Sequence, residues 1–159
     1  MNIGMIIYSH TGNTLSVAEK LKEKLFEAGH TVSLERLETV GPATLATEGD
    51  PLKTQPAVDP YDALVLGCPV RGGAPAPPML TFLEHVESLE GKHIVCLVTG
   101  FFPFDGWGRN QTVAQLKEIC ESKGATFHGA ESIGWFSLNR KQQISDAVNG
   151  LNQRFAFFF

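Results

Sequence analysis

Two hydrophobic rhythms alternate along this chain. Asn2 to Tyr8 is almost continuously apolar, which predicts a strand buried on both faces. From residue 12 to 28 the period lengthens. Val17, Leu21 and Leu25 share one helical stripe with Ala18 and Ala28, while Glu19, Lys20, Lys22, Glu23 and Lys24 fall outside it. Gly29 supplies the stop. Thr31 to Leu37 alternates Val32, Leu34 and Leu37 with polar residues, as a strand near a sheet edge does. Asp62 to Gly67 and His93 to Val98 are two further apolar strands, and Ala125 to Trp135 is a fifth strand region. Between them lie two helical stripes. Met79, Phe82, Leu83 and Val86 follow a proline start at Pro77 and Pro78, and Val113, Leu116, Ile119 and Cys120 fall within residues 109–122. Asn139 with Gln142 three residues on predicts a capping box for a last helix that buries Ile144, Val148, Leu151 and Phe155.

One segment breaks the rhythm. Residues 39–60 carry Pro42, Pro51, Pro56 and Pro60 with Gly41 and Gly49, and a stretch this long without periodicity reads as a functional excursion. It is expected either to cover a ligand or to build a homodimer interface. The remaining order is β-α-β, excursion, β-α-β-α-β-α. It predicts a single α/β domain over residues 1–159, a three-layer α/β/α, doubly wound, five-stranded parallel sheet in the order 2-1-3-4-5. Ligands of such sheets sit at the carboxyl ends of the strands where the order reverses. The loops of interest are therefore 9–14, 68–76 and 99–108.

Composition narrows the classes. At 159 residues and 43% hydrophobic, the chain can bury a full core. With 13 basic and 17 acidic residues its net charge is -4, and no Lys/Arg cluster predicts a nucleic-acid face. Three cysteines without a Cys-x-x-Cys pair exclude a disulfide framework and a structural zinc site, and point to a reducing, cytoplasmic compartment. Cys68, Cys96 and Cys120 are expected to be structural thiols. The five histidines show no metal spacing. The opening apolar run is too short for a signal peptide or a membrane span, and the apolar tail 155–159 reads as the end of a packed helix.

The loop Ser9-His10-Thr11-Gly12-Asn13-Thr14 carries the chemistry. Three hydroxyls, a glycine and the free N–H groups of a helix start form a neutral phosphate cradle. Gly12 lets the backbone curl around a bound group. The loop has no lysine, so it is not a Walker A loop, and it lacks the G-x-G-x-x-G of dinucleotide folds. A phospho-receiver module is disfavoured, because Tyr8-Ser9 and Gly67-Cys68 stand where its acidic and phospho-accepting residues belong.

Ser9-x-Thr11-Gly12-Asn13-Thr14 after an N-terminal strand resembles the FMN phosphate loop of the flavodoxin-like family, and 62–70 resembles that family's third strand and flavin-facing turn. The resemblance implies FMN as cofactor, with the ring held between two later loops. Pro69, Val70, Arg71, Gly72 and Gly73 would form one wall, without an aromatic. Thr99, Gly100, Phe104 and Trp107 would form the other, with Phe104 and Trp107 stacking on the ring and either Phe101 or Phe102 in the core. Arg71 beside the ring would stabilise added negative charge. The implied function is electron transfer through bound flavin to a redox partner protein or a small-molecule electron acceptor. The alternative is FMN-dependent NAD(P)H oxidation with reduction of a quinone or similar acceptor.

Overall fold

The structure is a computed structural model that describes residues 1–104 and 106–158, with only the backbone at 44 and 158. Strand β1 (Asn2–Ile7) leads into helix α1 (Asn13–Glu27), and β2 (Thr31–Arg36) into an excursion containing a 3₁₀ turn (Ala43–Leu45). Strands β3 (Ala63–Arg71) and β4 (Ala74–Pro75) precede α2 (Pro77–His85). Then follow β5 (His93–Gly100), α3 (Arg109–Ser122), β6 (Thr126–Gly134) and α4 (Arg140–Phe158). The parallel strands run β2-β1-β3-β5-β6, which is the expected 2-1-3-4-5 order once the short β4 is set aside.

Each central strand is an uninterrupted apolar run because helices cover both of its faces. Ile6, Leu64, Leu66, Cys96 and Val98 face the side of Met79, Phe82 and Leu116. Ile3, Met5, Ile7, Val65 and Leu97 face the side of Val17, Leu21, Val148 and Leu151. Among the described residues β2 pairs only with β1, so it lies at an edge and keeps its alternating pattern.

Several local expectations are corrected. The third strand extends past Gly67 to Arg71 and turns back antiparallel, pairing Val70 with Pro75 and Arg71 with Ala74. Gly72 and Gly73, at φ 59° and 78°, make the two-residue turn, since both central positions of such a hairpin need positive φ. Ala28 is exposed at the end of α1 rather than inward. The capping box at Asn139 does not form. The Gln142 amide donates to Asp146 Oδ1 at 2.8 Å, and Gln143 bonds the Asn139 carboxamide instead. One half of such a box appears at α3, where the Gly108 N–H donates to Gln111 Oε1 at 3.0 Å, Gly108 having no side chain to return the bond. In the tail, Phe155 is buried and Phe157 is exposed, while Phe159, like Asp105 of the 99–108 loop, lies outside the described residues.

Among the described residues no helix is long and apolar enough to cross a membrane, and no three metal-ligating side chains cluster. The three thiols are buried and unbridged. Burial pushes the Cys68 and Cys120 thiols up to about 12, so they sit as inert apolar fillers.

Candidate functional site

The carboxyl ends of the strands enclose a cavity of about 500 Å³, within the roughly 300–1,000 Å³ typical of small-molecule and cofactor sites. Four chain segments contribute its walls. Tyr8, Ser9, His10 and Thr11 come from the β1–α1 loop with Asn13 and Thr14 from the first turn of α1, and Pro69, Val70 and Arg71 from the β3–β4 hairpin with Ala76 just after it. Thr99, Gly100 and Phe101 come from the end of β5, and Trp135 and Phe136 from the segment after β6.

The first wall is shaped by Gly12, which caps α1 in the left-handed region at φ 89°. Nothing lies within 4 Å of a Cβ added there, so backbone conformation, not space, selects glycine. The helix starts with the Ser16 N–H donating to Gly12 O at 2.9 Å, and the Leu15 N–H donates to Ser9 Oγ at 3.2 Å. The N–H groups of the first turn have no partners within the helix and carry its positive dipole end. Thr14 Oγ1 lies 2.7 Å from Thr99 Oγ1, both side chains buried, which ties this loop to the end of β5. Arg36, last in β2, reaches the Ser9 carbonyl from the neighbouring strand with Nη2 at 3.4 Å. The loop itself is neutral, and this cation comes to it through the 2-1-3 strand order.

On the second wall, Arg71 turns its guanidinium to the excursion. Nη1 donates to Ala46 O at 2.9 Å and Nη2 to Ala43 O at 2.7 Å. The excursion is also held to α2: the Gly49 N–H donates to Thr81 Oγ1 at 3.0 Å and the Gln55 amide to Phe82 O at 3.0 Å. The 39–60 segment thus packs along α2 and reaches the cavity's edge through Arg71. Gly72 and Gly73 serve the hairpin turn and do not line the cavity.

The opposite wall rests on Arg109, a buried first residue of α3. Its Nη1 donates to Ser132 Oγ at 3.1 Å and its Nη2 to Pro103 O at 3.0 Å, pinning the aromatic loop to β6. Gly100 leaves room for the Arg109 stem, since a Cβ there would sit 2.8 Å from Arg109 Cγ. The Trp135 N–H donates to Gly100 O at 2.7 Å, and the Arg140 guanidinium lies 4.9 Å from the centre of the Trp135 ring.

Phe104 and Trp107 stand away from the cavity, 60% and 58% exposed, with their ring centres 5.2 Å apart. Trp107 also meets Phe102 at 4.8 Å. Neither Phe101 nor Phe102 is in the core: they are 65% and 45% exposed, a correction to the expectation that one would be. These four rings lie outside the regular strands and pack on one another rather than against the sheet. Sequence reasoning missed Tyr8, Ala76, Phe101, Trp135 and Phe136 as cavity residues. A signal existed for the last two: parallel pairing of β5 with β6 sets Gly134 beside Gly100, so whatever follows β6 shares that wall.

Tyr8 is 4% exposed, and among the described residues its hydroxyl has no hydrogen-bond partner. Burial raises its phenol above the usual value, with the Arg71 charge acting the other way.

A doubly wound parallel sheet with a neutral anion cradle after its first strand and a cavity at its carboxyl edge defines the flavodoxin-like class of α/β protein. Known proteins agree with that class. Residues 1–133 match the NADPH-dependent FMN reductase family, and the chain belongs to it. Over 135 residues it is 26% identical to NAD(P)H dehydrogenase (quinone) 3 of Rhizobium meliloti (strain 1021), an alignment taking in 80% of this chain and 56% of that protein. The chain therefore spans little more than half the length of that relative. Over 134 residues it is 25% identical to the flavodoxin of Megasphaera elsdenii, covering 82% of this chain and 85% of that protein. Oxidised flavodoxin 1 from Bacillus cereus superposes over 100% of this chain and 99% of its own, with a TM-score of 0.72 at 17% identity.

FMN is the cofactor that this family and this flavodoxin-like, FMN-binding fold imply, and the residues present fit it. The loop after β1 offers neutral donors at a helix start for a phosphate, the walls beyond it are largely apolar, and an unpartnered hydroxyl faces the same space.

Proposed function

We propose that this chain is an FMN-dependent redox protein that moves electrons between a donor and either a partner protein or a small acceptor. One observation carries the reading: the phosphate cradle at residues 9–14 opens directly into a cavity with apolar walls at the carboxyl edge of the sheet. Ser9, Thr11 and Thr14, with the N–H groups of the first turn of α1, hold the phosphate. Pro69, Val70, Thr99, Gly100, Phe101 and Trp135 form the slot for the ring. Bound FMN supplies reversible uptake of one or two electrons. The protein's part is to hold the ring, keep water from one side of it and set the local charge. The whole chain forms one domain around this site. Its three unbridged thiols support a cytoplasmic, reducing location.

A second reading is favoured by the charges near the mouth. In a chain of net charge -4, the cations Arg36, Arg71 and Arg140 bond within or beside the cavity walls. Positive charge there favours an anionic reduced ring and an anionic reductant. That suits an NAD(P)H oxidoreductase acting on a quinone or similar acceptor better than a one-electron carrier. An anaerobic titration decides between them. The FMN-loaded protein is treated with NADPH, NADH or dithionite while its visible flavin band is followed. Bleaching by NADPH within a catalytic timescale selects the reductase, and bleaching by dithionite alone selects the carrier. A purified protein that takes up no FMN removes both readings.

A further inference from the structure

We propose that the Tyr8 hydroxyl is a cofactor-binding donor aimed at an oxygen of the ribityl phosphate arm of FMN, an inference that rests on the FMN reading above. Tyr8 follows directly on the last residue of β1, lines the cavity and is 4% exposed. Its Oη has no hydrogen-bond partner among the described residues. Buried polar groups in folded proteins are paired as a rule. An unpaired one on a cavity wall therefore marks where a ligand atom is received.

The neighbours fix which kind of atom. Arg71 is the charged group that acts on this phenol. A guanidinium offers only donors, so it gives the Tyr8 O–H nothing to donate to. The guanidinium is in any case occupied by the carbonyls of Ala43 and Ala46. Burial keeps the phenol protonated at neutral pH, so the O–H is a donor and its counterpart is an electron-rich oxygen. Tyr8 lines the same cavity as Ser9, Thr11 and Thr14 of the cradle, so an oxygen of the arm is the FMN oxygen it would meet. Ser9 Oγ accepts from the Leu15 N–H, which leaves its own O–H free to donate, and Thr14 Oγ1 is bonded to Thr99 Oγ1, so Tyr8 adds its donor to those of the cradle. Tyr8 is thus a side-chain donor on this side of the cavity with no competing bond inside the protein.

Tyr8→Phe keeps the ring and removes the donor. Full-length wild type and variant, freed of flavin, are titrated with FMN and with riboflavin, and thermal unfolding is followed without flavin. We expect the Kd for FMN to rise at least tenfold, while the flavin-free variant melts at or above the wild-type temperature. A loss confined to FMN assigns the bond to the phosphate, and an equal loss with riboflavin assigns it to a ribityl hydroxyl. Unchanged FMN affinity in the variant overturns the inference and leaves the FMN reading standing, whereas a wild type that binds no FMN overturns both. If the variant does not fold, alkaline titration of tyrosinate absorbance in a Tyr61→Phe background reports Tyr8 directly, since Tyr8 and Tyr61 are the two tyrosines. FMN should move that ionisation up by at least one pH unit, and no movement overturns the inference.

Discussion

Replacing Arg71 with alanine should release part of the 39–60 segment while leaving the sheet intact. The guanidinium holds two carbonyls of the 3₁₀ turn, Ala46 O at 2.9 Å and Ala43 O at 2.7 Å. A hydrogen bond to a charged group contributes about 1.5–3 kcal/mol when well buried. Arg71 is only half-buried, so water competes for both carbonyls, and the pair together is worth about 2 kcal/mol. At 1.4 kcal/mol per decade that is roughly a 30-fold rise in the opening equilibrium of the turn. Native-state hydrogen exchange reads it at named amides. The Leu45 N–H donates to Pro42 O at 3.0 Å and the Ala46 N–H to Ala43 O at 3.3 Å, both inside the segment that Arg71 holds. These two should exchange roughly 30-fold faster in Arg71→Ala, while Ile6 and Leu66 in the central strands keep their protection. Arg71→Lys, with one compact donor group in place of the fork, should fall between the two. Equal exchange at Leu45 and Ala46 in wild type and Arg71→Ala would show that α2 alone holds the segment, and the latch would have to be abandoned.

Three further outcomes follow from the same structure. Thr11 is exposed and among the described residues takes part in no hydrogen bond, so Thr11→Ala should weaken FMN by about 1.5–3 kcal/mol without altering riboflavin affinity; equal losses for both flavins would remove Thr11 from the phosphate site, as read by fluorescence titration. Gly134→Ala would set its Cβ 2.7 Å from Phe102 O and 2.9 Å from Pro103 Cα, both backbone atoms, so it should cost about 1–3 kcal/mol of stability by denaturant unfolding and shift the loop that carries Phe101. Cys68 and Cys120 have thiols raised by burial from 9.0 to about 12, so they should resist iodoacetamide in the native state at pH 9 and react in denaturant. The sign for stability is fixed by the same shift: the unfolded chain loses these protons first, so stability falls as pH climbs from about 9 to about 12. Flat chemical-denaturation midpoints across that window would contradict it.

The sheet was legible because burial on both faces forces each central strand to be an apolar run, and the edge position of β2 leaves it alternating. The 9–14 loop was legible as a wall of the cavity because its polar residues are contiguous directly after a buried strand. The site's remaining walls depend on contacts between residues distant in sequence, and periodicity carries no information about those. Pro69 to Gly73 was expected to be a loop on its proline and glycines, yet Val70 and Arg71 continue the strand, and the Gly72-Gly73 pair was itself a hairpin signal. Phe104 and Trp107 lie in the expected loop, but the chain turns their rings outward. The direction of a side chain on an irregular loop is set by local dihedral angles that the sequence pattern does not encode. Arg71 falls at the cavity as expected. Its bonding to Ala43 and Ala46 depends on how residues 39–60 return over α2, and no spacing rule describes that path.

The 2.7 Å contact between Thr14 and Thr99 joins the first turn of α1 to the end of β5, 85 residues apart in the chain, by a single hydrogen bond. Either hydroxyl can donate, so the pair has two settings. When Thr99 donates, the Thr14 proton is left over and can point at an anion near the start of α1. When Thr14 donates, the spare proton belongs to the end of β5, beside Gly100. An anion placed at the start of α1 would favour the first setting by accepting the Thr14 proton. The Thr99 proton is then committed to Thr14 and withdrawn from whatever lies against β5. The sense of this bond can therefore reverse by rotation of two O–H bonds, with no movement of the backbone.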